Sequence, residues 1–450
     1  MSYFFDNHLN IGPEETICTA WSNTDFNMIL AVSTTAPKII FVQEEGNVLP
    51  NFQIARGRSR AVTLKWHPVF QALAIGWDDG VITLWNEDER LTREEKVLHK
   101  APISIITFSN DGSRMVTGDA KGTIGVWRTH RGLAPVCSYS KDGAVTNIVF
   151  CSLQMAPETT PPTADNTNSL FFFGGASGSV CLADDLKNCS EVCKVPGSVK
   201  TILFYEKENS VIIITSHLLL VQFKLNLSEK LVPDRKVKLA VAGNPEYLAT
   251  IWAGSGLLAT VSGENMIRMF NIEQDENYVL TLAESAFQGL LFQDKIVSVS
   301  YNARRRILSG GTKNGYIVMW RCKQMSAESP ASSEGWDARA PLKSQANAPI
   351  TRLEWGGGAH QILSAMSQQG VTVLNHTVLK KKMKDNFKMM QISNKAVEVR
   401  LKNEASPNTD YQIIMTLGMN IKGIDCCKSY TLFWNGKFAQ IYDVQGQKGP

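Results

Sequence analysis

Apolar positions along this chain come in short bursts. From Leu64 to Asn86, "LKWHPVFQALAIGWDDGVITLWN", one run ends at Trp66-His67-Pro68, a second reads "ALAIGW", and a third, "VITLW", follows Asp79-Gly80. Short apolar runs cut by Asp-Gly predict β-strands, because glycine accepts the positive φ that a tight inter-strand turn requires. The order then repeats in "IITFSNDGSRMVTGDAKGTIGVW", Ile105 to Trp127. Trp66 aligns with Phe108, Gly80 with Gly122 and Trp85 with Trp127, at a common offset of 42 residues.

Followed through the chain, the first aromatic falls at Trp21, Trp66, Phe108, Phe150, Phe204, Trp252, Tyr301 and Trp355. The end of the third strand falls at Trp85, Trp127, Ala183, Phe223, Phe270 and Trp320. Four short strands in a period of roughly 40–45 residues are the signature of WD40 propeller blades. The expected fold is all-β, a seven-bladed WD40-type β-propeller followed by the incomplete start of a second propeller. The tryptophans are expected to fill the space between neighbouring blades. The usual Trp-Asp closing pair is replaced by Trp85-Asn86, Trp127-Arg128 and Trp320-Arg321. The Gly-His pair that precedes the first strand of well-kept repeats is missing throughout, which puts their hydrogen-bonded polar tetrad in question.

Residues 1–325 are expected to form the first propeller. The N-terminal "YFFDNHL" would supply the outer strand of its last blade, closing the ring and removing exposed sheet edges. Two Pro-, Ser- and Thr-rich segments, Gln154 to Ser169 and Gln324 to Ala348, lack large apolar runs and predict loops or linkers. The expected linker is 326–348. From Pro349, "PITRLEWGGGAHQILSA" opens another repeat, so 349–450 is expected to be a partial second propeller.

Composition narrows the functional classes. With 450 residues, of which 44% are hydrophobic, the chain can build ample cores, and a net charge of +4 is too small to argue for nucleic acid. The longest apolar stretch, Ser210 to Phe223, is broken by Ser216 and His217 and reads as two strands rather than a bilayer span. The N-terminus shows no basic-then-apolar secretory pattern. Nine scattered cysteines point to reduced thiols in the cytoplasm.

No catalytic constellation emerges. There is no phosphate-binding loop or nucleophile elbow; "GGASGS" (Gly174 to Ser179) and "WGGGAH" (Trp355 to His360) read as inter-strand turns. Cys189 and Cys193, and the adjacent Cys426 and Cys427, lack partners at zinc-site spacing, so no metal, cofactor or catalytic residue is expected. His67 reads as a turn histidine. Propeller enzymes gather acids, histidines or ligands around a channel, and the dispersed histidines and cysteines argue against that class. Two basic features are candidate contacts with a partner or an anionic membrane. Arg304, Arg305 and Arg306 sit in the turn after Tyr301, and Lys380, Lys381, Lys382, Lys384 and Lys388 are interleaved with Phe387, Met389 and Met390. The bland alternative is a solvated charged face.

Four segments together resemble the intraflagellar transport protein 140 family, subunits of intraflagellar transport complex A. They are "LKWHPVFQALAIGWDDGVITLWN", "ILFYEKENSVIIIT" (Ile202 to Thr215), "MFNIEQDENYVL" (Met269 to Leu280) and "LFWNGKFAQIYDV" (Leu432 to Val444). Family members have two N-terminal propellers and a long helical tail, and the resemblance here covers the N-terminal portion only. It implies a non-enzymatic scaffold in retrograde ciliary transport, ciliary entry of membrane proteins and cilium assembly. Its implied partners are the other complex A subunits and, through the complex, ciliary membrane-protein cargo. The implied location is the cilium, with its base and axoneme, and the cytoplasm. A vesicle-coat-like WD40 scaffold is the alternative. The resemblance rests on blade-core motifs and assigns no residue-level partner site.

Overall fold

The structure is a computed structural model. It describes residues 2–10, 14–23, 28–44, 46–86, 91–130, 132–151, 169–225, 231–239, 243–287, 293–323, 329–356, 362–384, 387–393, 395–401, 411–419, 421–427, 430–435 and 438–443. Most of the insertion at Gln154 to Ser169, and 357–360 of the "WGGGAH" turn, lie outside the described residues. The chain divides into two compact units, His8–Val373, and Met1–Asn7 with Leu374–Pro450.

Successive four-stranded sheets span 16–55, 61–95, 103–140, 145–194, 199–238, 249–281 and 296–343, here called sheets one to seven. Within each, neighbouring strands are antiparallel and follow chain order. The second strands, such as Ile29–Thr34, Ala72–Trp77 and Ser210–Thr215, are buried at every position. That is why they read as continuous apolar runs rather than alternating ones: both faces are covered by neighbouring sheets. Each fully buried Val, Leu or Ile contributes about 1.5–3 kcal/mol. Fourth strands such as Cys189–Lys194 and Leu231–Lys238 face solvent along much of their length and are polar to match. A register shift recurs near the start of the first strand in sheets one, two, three, four, five and seven, so even the irregularity repeats.

The tryptophans lie where the repeat pattern placed them. Trp66 and Trp85 both pair with Leu73 across sheet two, which puts them on one face. Their rings meet at 6.3 Å, and Phe41 of sheet one closes on Trp85 at 5.1 Å. Trp127 of sheet three packs with Ala72, Ala74 and Leu84 of sheet two, and Trp320 of sheet seven with Leu257 and Met269 of sheet six. Each aromatic thus bridges to the preceding sheet.

Three sequence expectations are corrected. Trp336–Lys343, within the expected 326–348 linker, is the fourth strand of sheet seven, pairing with Tyr316–Cys322. Its polar, exposed character hid it. Sheet seven is therefore complete without the N-terminus, and Ser2–Asn10 instead lies beside Gly370–Val378 in an eighth four-stranded sheet that includes Arg352–Trp355 and Ile362–Ser367. The unit His8–Val373 accordingly runs past 325, the boundary expected from seven repeats. Sheets one and eight share a core: Trp21, Leu30, Val32 and Val42 pack with Ile362, Val371 and Val373. Thr16 N–H donates to the Gln368 carbonyl at 3.0 Å, and Trp21 Nε1 donates to Ser364 Oγ at 3.0 Å.

The other unit holds a four-stranded sheet over 381–416 and a three-stranded one over 423–443. They share a core of Met389, Val397, Val399, Ile424 and Phe433.

Candidate functional site

A buried polar cluster lies where the chain enters sheet three. His99 precedes the first strand of sheet three, Thr117 and Asp119 sit on its second strand, and Trp127 on its third. Asp119 Oδ2 accepts from His99 Nδ1 at 3.1 Å, which leaves Nε2 to accept from Thr117 Oγ1 at 2.8 Å. Thr117 Oγ1 in turn accepts from Trp127 Nε1 at 2.8 Å. Asp119 also fixes the turn, its Oδ1 accepting from the N–H groups of Lys121 and Thr123. All four side chains are buried. The polar tetrad that the sequence put in question is thus present in this repeat. Its histidine follows Leu98 rather than glycine, so a search for Gly-His misses it. Burial lowers the His99 pKa below 6.5 against the pull of Asp119, keeping the ring neutral. With both ring nitrogens engaged and the side chains buried, the cluster acts as a structural clasp.

His67 is also structural. Its Nδ1 accepts from the N–H groups of Val69 and Phe70, and Nε2 donates to the Gly112 carbonyl at 3.0 Å. The ring packs against Phe108 of sheet three at 5.1 Å. It plugs the junction between sheets two and three. Tyr205, which follows the first aromatic Phe204 as His67 follows Trp66, plugs the junction of sheets five and six: it stacks on Trp252 at 5.3 Å and bonds Glu273 through its hydroxyl.

The described cysteines are all free thiols. Cys189 and Cys193 lie on one outer strand, and burial pushes the Cys193 thiol up to about 12. Among the described residues no three His, Cys, Asp or Glu side chains are grouped to hold a metal, and no helix is long and apolar enough to cross a membrane.

The structure separates the two basic features. Arg304, Arg305 and Arg306 form the turn between Ile296–Asn302 and Ile307–Thr312 of sheet seven, as expected. Arg304 and Arg305 are exposed, while Arg306 is half-buried at φ 52°. The turn is pinned by Arg305 N–H donating to Asn302 Oδ1 at 3.0 Å and Cys322 N–H donating to the Arg306 carbonyl at 2.9 Å. Arg306 lines a cleft of about 390 Å³ together with Trp252, Ala253, Ser255, Tyr301 and Pro330. Burial raises the Tyr301 hydroxyl to about 12, with the Arg306 charge acting in the opposite direction.

The lysines belong to the other unit. Lys381–Lys384 and Phe387–Gln391 form a hairpin in which Lys382 pairs with Met389 and Met383 with Lys388. Lys382 Nζ is 3.1 Å from Asp425 Oδ1, so this lysine is already engaged. Lys380, Lys381, Lys384 and Lys388 are exposed, beside Met383 at 74% exposure. Lys381–Lys384 is also the end strand of its sheet, where lysines discourage pairing with other chains.

Comparison with known proteins agrees with this architecture. The C-terminal WD40 domain of Sif2 superposes with a TM-score of 0.61 at 14% identity, covering 83% of this chain and 99% of that domain. The computationally designed Ika8 protein gives 0.57 at 15% identity, covering 82% and 98%. These likenesses speak to fold. Jouberin from Rattus norvegicus is 29% identical over 116 residues, and Jouberin from Mus musculus 30% over the same length, in each case 24% of this chain. The match spans only 11% of the length of these relatives. The family described as the IFT140 first beta-propeller matches residues 2–162 and 157–377, a span ending where the strand Gly370–Val378 ends the eighth sheet. The chain belongs to the IFT140 first beta-propeller family.

Proposed function

We propose that this chain is a non-enzymatic scaffold of intraflagellar transport complex A, acting in retrograde ciliary transport, ciliary entry of membrane proteins and cilium assembly. The family match across 2–377 carries the reading. Two structural features support it. His67 fastens sheet two to the Gly112 turn of sheet three, and His99 and Asp119 fasten the segment before sheet three to that sheet. What the unit presents outward are turns on a rigid frame, the arrangement by which loops serve as binding surfaces. On this reading its partners are the other subunits of the complex and, through them, ciliary membrane-protein cargo, at the ciliary base, along the axoneme and in the cytoplasm.

The exposed Lys380, Lys381, Lys384 and Lys388, with Met383 between them, are a second contact surface on this reading, facing an acidic partner or an anionic membrane. The test of the main reading is to tag the full chain in ciliated cells and identify what co-purifies. Recovery with intraflagellar transport subunits is expected; recovery with vesicle-coat subunits instead would overturn the assignment.

A further inference from the structure

Three of the free thiols converge on the core shared by sheets three and four. Cys137 lies on the outer strand Ala134–Ser140 of sheet three, Cys181 on Ser179–Ala183, and Cys189 on the outer strand Cys189–Lys194 of sheet four. Cys137 and Cys181 are buried there with Val126, Ile148 and Phe171, and Cys189 packs against the same cluster. Across sheet four, Cys181 pairs with Glu191, and Ala183 with Cys189. Paired residues project to one face, and side chains two apart along a strand share it. Cys181 and Cys189 are therefore diagonal neighbours on the face toward sheet three. Their thiols are hydrogen-bonded to one another.

The neighbour suggested by chain order is not the one the fold supplies. Cys193 stands four residues from Cys189 on the same strand, where plain alternation would put both on one face. A register shift leaves Val192 between the pairs Val180 with Cys193 and Cys181 with Glu191. Cys193 accordingly packs in the core shared by sheets four and five, away from Cys189. The two bonded thiols also differ from each other. Cys181 is 1% exposed, while Cys189 is half-buried. The hydrogen bond from Cys181 lowers the Cys189 thiol, burial opposes this, and the Lys141 charge adds to the lowering. A thiolate-prone, partly exposed cysteine beside a second thiol is the arrangement that peroxides oxidise selectively.

We propose that Cys181 and Cys189 are a peroxide-sensitive dithiol, in which Cys189 is oxidised first and Cys181 resolves it into an intramolecular disulfide. The Cys189 sulfur attacks one oxygen of hydrogen peroxide. The O–O bond breaks, a sulfenic acid forms, and the other oxygen leaves as water with the thiol proton. The Cys181 sulfur then attacks the sulfenic sulfur. The S–O bond breaks, and its oxygen leaves as water with the Cys181 proton. The two thiols lose two electrons in all, and the peroxide accepts both. The new bond joins the strands on either side of the 184–188 turn. Sheet three rests on that turn, where the Tyr139 hydroxyl donates to the Asp184 carbonyl at 2.7 Å. Oxidation therefore fixes the outer edge of sheet four at its contact with sheet three.

The test treats the purified full chain, reduced and then freed of reductant, with hydrogen peroxide. The chain is next denatured, its remaining thiols are blocked with N-ethylmaleimide, and it is digested without reduction by trypsin and Glu-C protease. Cleavage after Lys187 and Glu191 separates Cys181, Cys189 and Cys193, so mass spectrometry identifies the linked pair. A link between Cys181 and Cys189 is expected, reversed by dithiothreitol and formed at least about tenfold faster than in the urea-unfolded chain. Cys137→Ser and Cys193→Ser should leave that link in place, and Cys189→Ser should remove it. In Cys181→Ser the reaction should stop at a sulfenic acid on Cys189, which dimedone traps. Circular dichroism shows whether each variant keeps its fold, and the parent and Cys193→Ser decide the matter if the buried Cys181 variant misfolds. Linkage of Cys189 to Cys137 or Cys193 would overturn the proposal. So would recovery of Cys181 and Cys189 as maleimide adducts after peroxide, or a rate no faster than in urea.

Discussion

At the residue scale, the clasp at His99 shows how much a single side chain can fasten. Replacing it with alanine strands Asp119 Oδ2 and removes the acceptor of the Thr117 hydroxyl, both in buried surroundings. His99→Ala should lower the unfolding free energy by about 1–3 kcal/mol, the usual cost of orphaned buried polar groups, measured by urea denaturation. The same residue predicts a pH dependence. Burial depresses the folded-state pKa of both His99 and His67 below 6.5. Between the depressed values and 6.5, the unfolded chain takes up protons that the folded chain declines. Stability is then complete above pH 6.5 and falls as the pH drops below it. The urea midpoint should decrease from pH 7.5 to pH 5.5, with a smaller decrease in His99→Ala; a midpoint rising toward acid would contradict both assignments. His67 is legible as a turn residue because Pro68 follows it. The clasp is not legible, because Leu98 stands where a Gly-His pair would mark the histidine. What hides it is that a tetrad is a three-dimensional relation among four residues on different strands.

At the element scale, strands whose faces are both buried were legible and outer strands were not. Ala72–Trp77 announces itself as an apolar run, whereas Trp336–Lys343 has one large buried residue, Trp336, and otherwise the composition of a loop. Turns were legible wherever glycine marked them. Gly122 sits at φ 98°, and a Cβ there would collide with the Lys141 carbonyl at the entry to sheet four. Gly122→Ala should therefore destabilise by more than about 1 kcal/mol. Gly418→Ala, where a Cβ meets nothing within 4 Å, should be close to neutral in the same thermal melts. Equal effects would mean that the turn is not held against the neighbouring sheet. The lysine hairpin was legible as charge, but its use of Lys382 to hold Asp425 was not. Reversing Lys381, Lys384 and Lys388 to Glu, and sparing Lys382, should weaken sedimentation with anionic vesicles or an acidic partner several-fold at low salt, and added salt should weaken the parent likewise. Unchanged binding would leave these lysines as guards of a strand edge.

At the scale of the whole molecule, the repeat was legible and its closure was not. The period and the aromatic positions fix sheets one to seven almost as drawn. The closure depends on Ser2–Asn10 and Gly370–Val378, about 360 residues apart, and no local pattern says which repeat a terminal strand will join. In the unit His8–Val373, sheet eight packs on sheet one. Without sheet eight, the buried faces of Trp21, Leu30, Val32 and Val42 lose Ile362, Val371 and Val373. The most direct measurement is differential scanning calorimetry on two purified fragments, 1–378 and 1–325. The closed-ring account predicts that 1–378 is monomeric and unfolds in one cooperative transition, while 1–325 aggregates or melts well below it. A 1–325 fragment as stable and monomeric as 1–378 would contradict it.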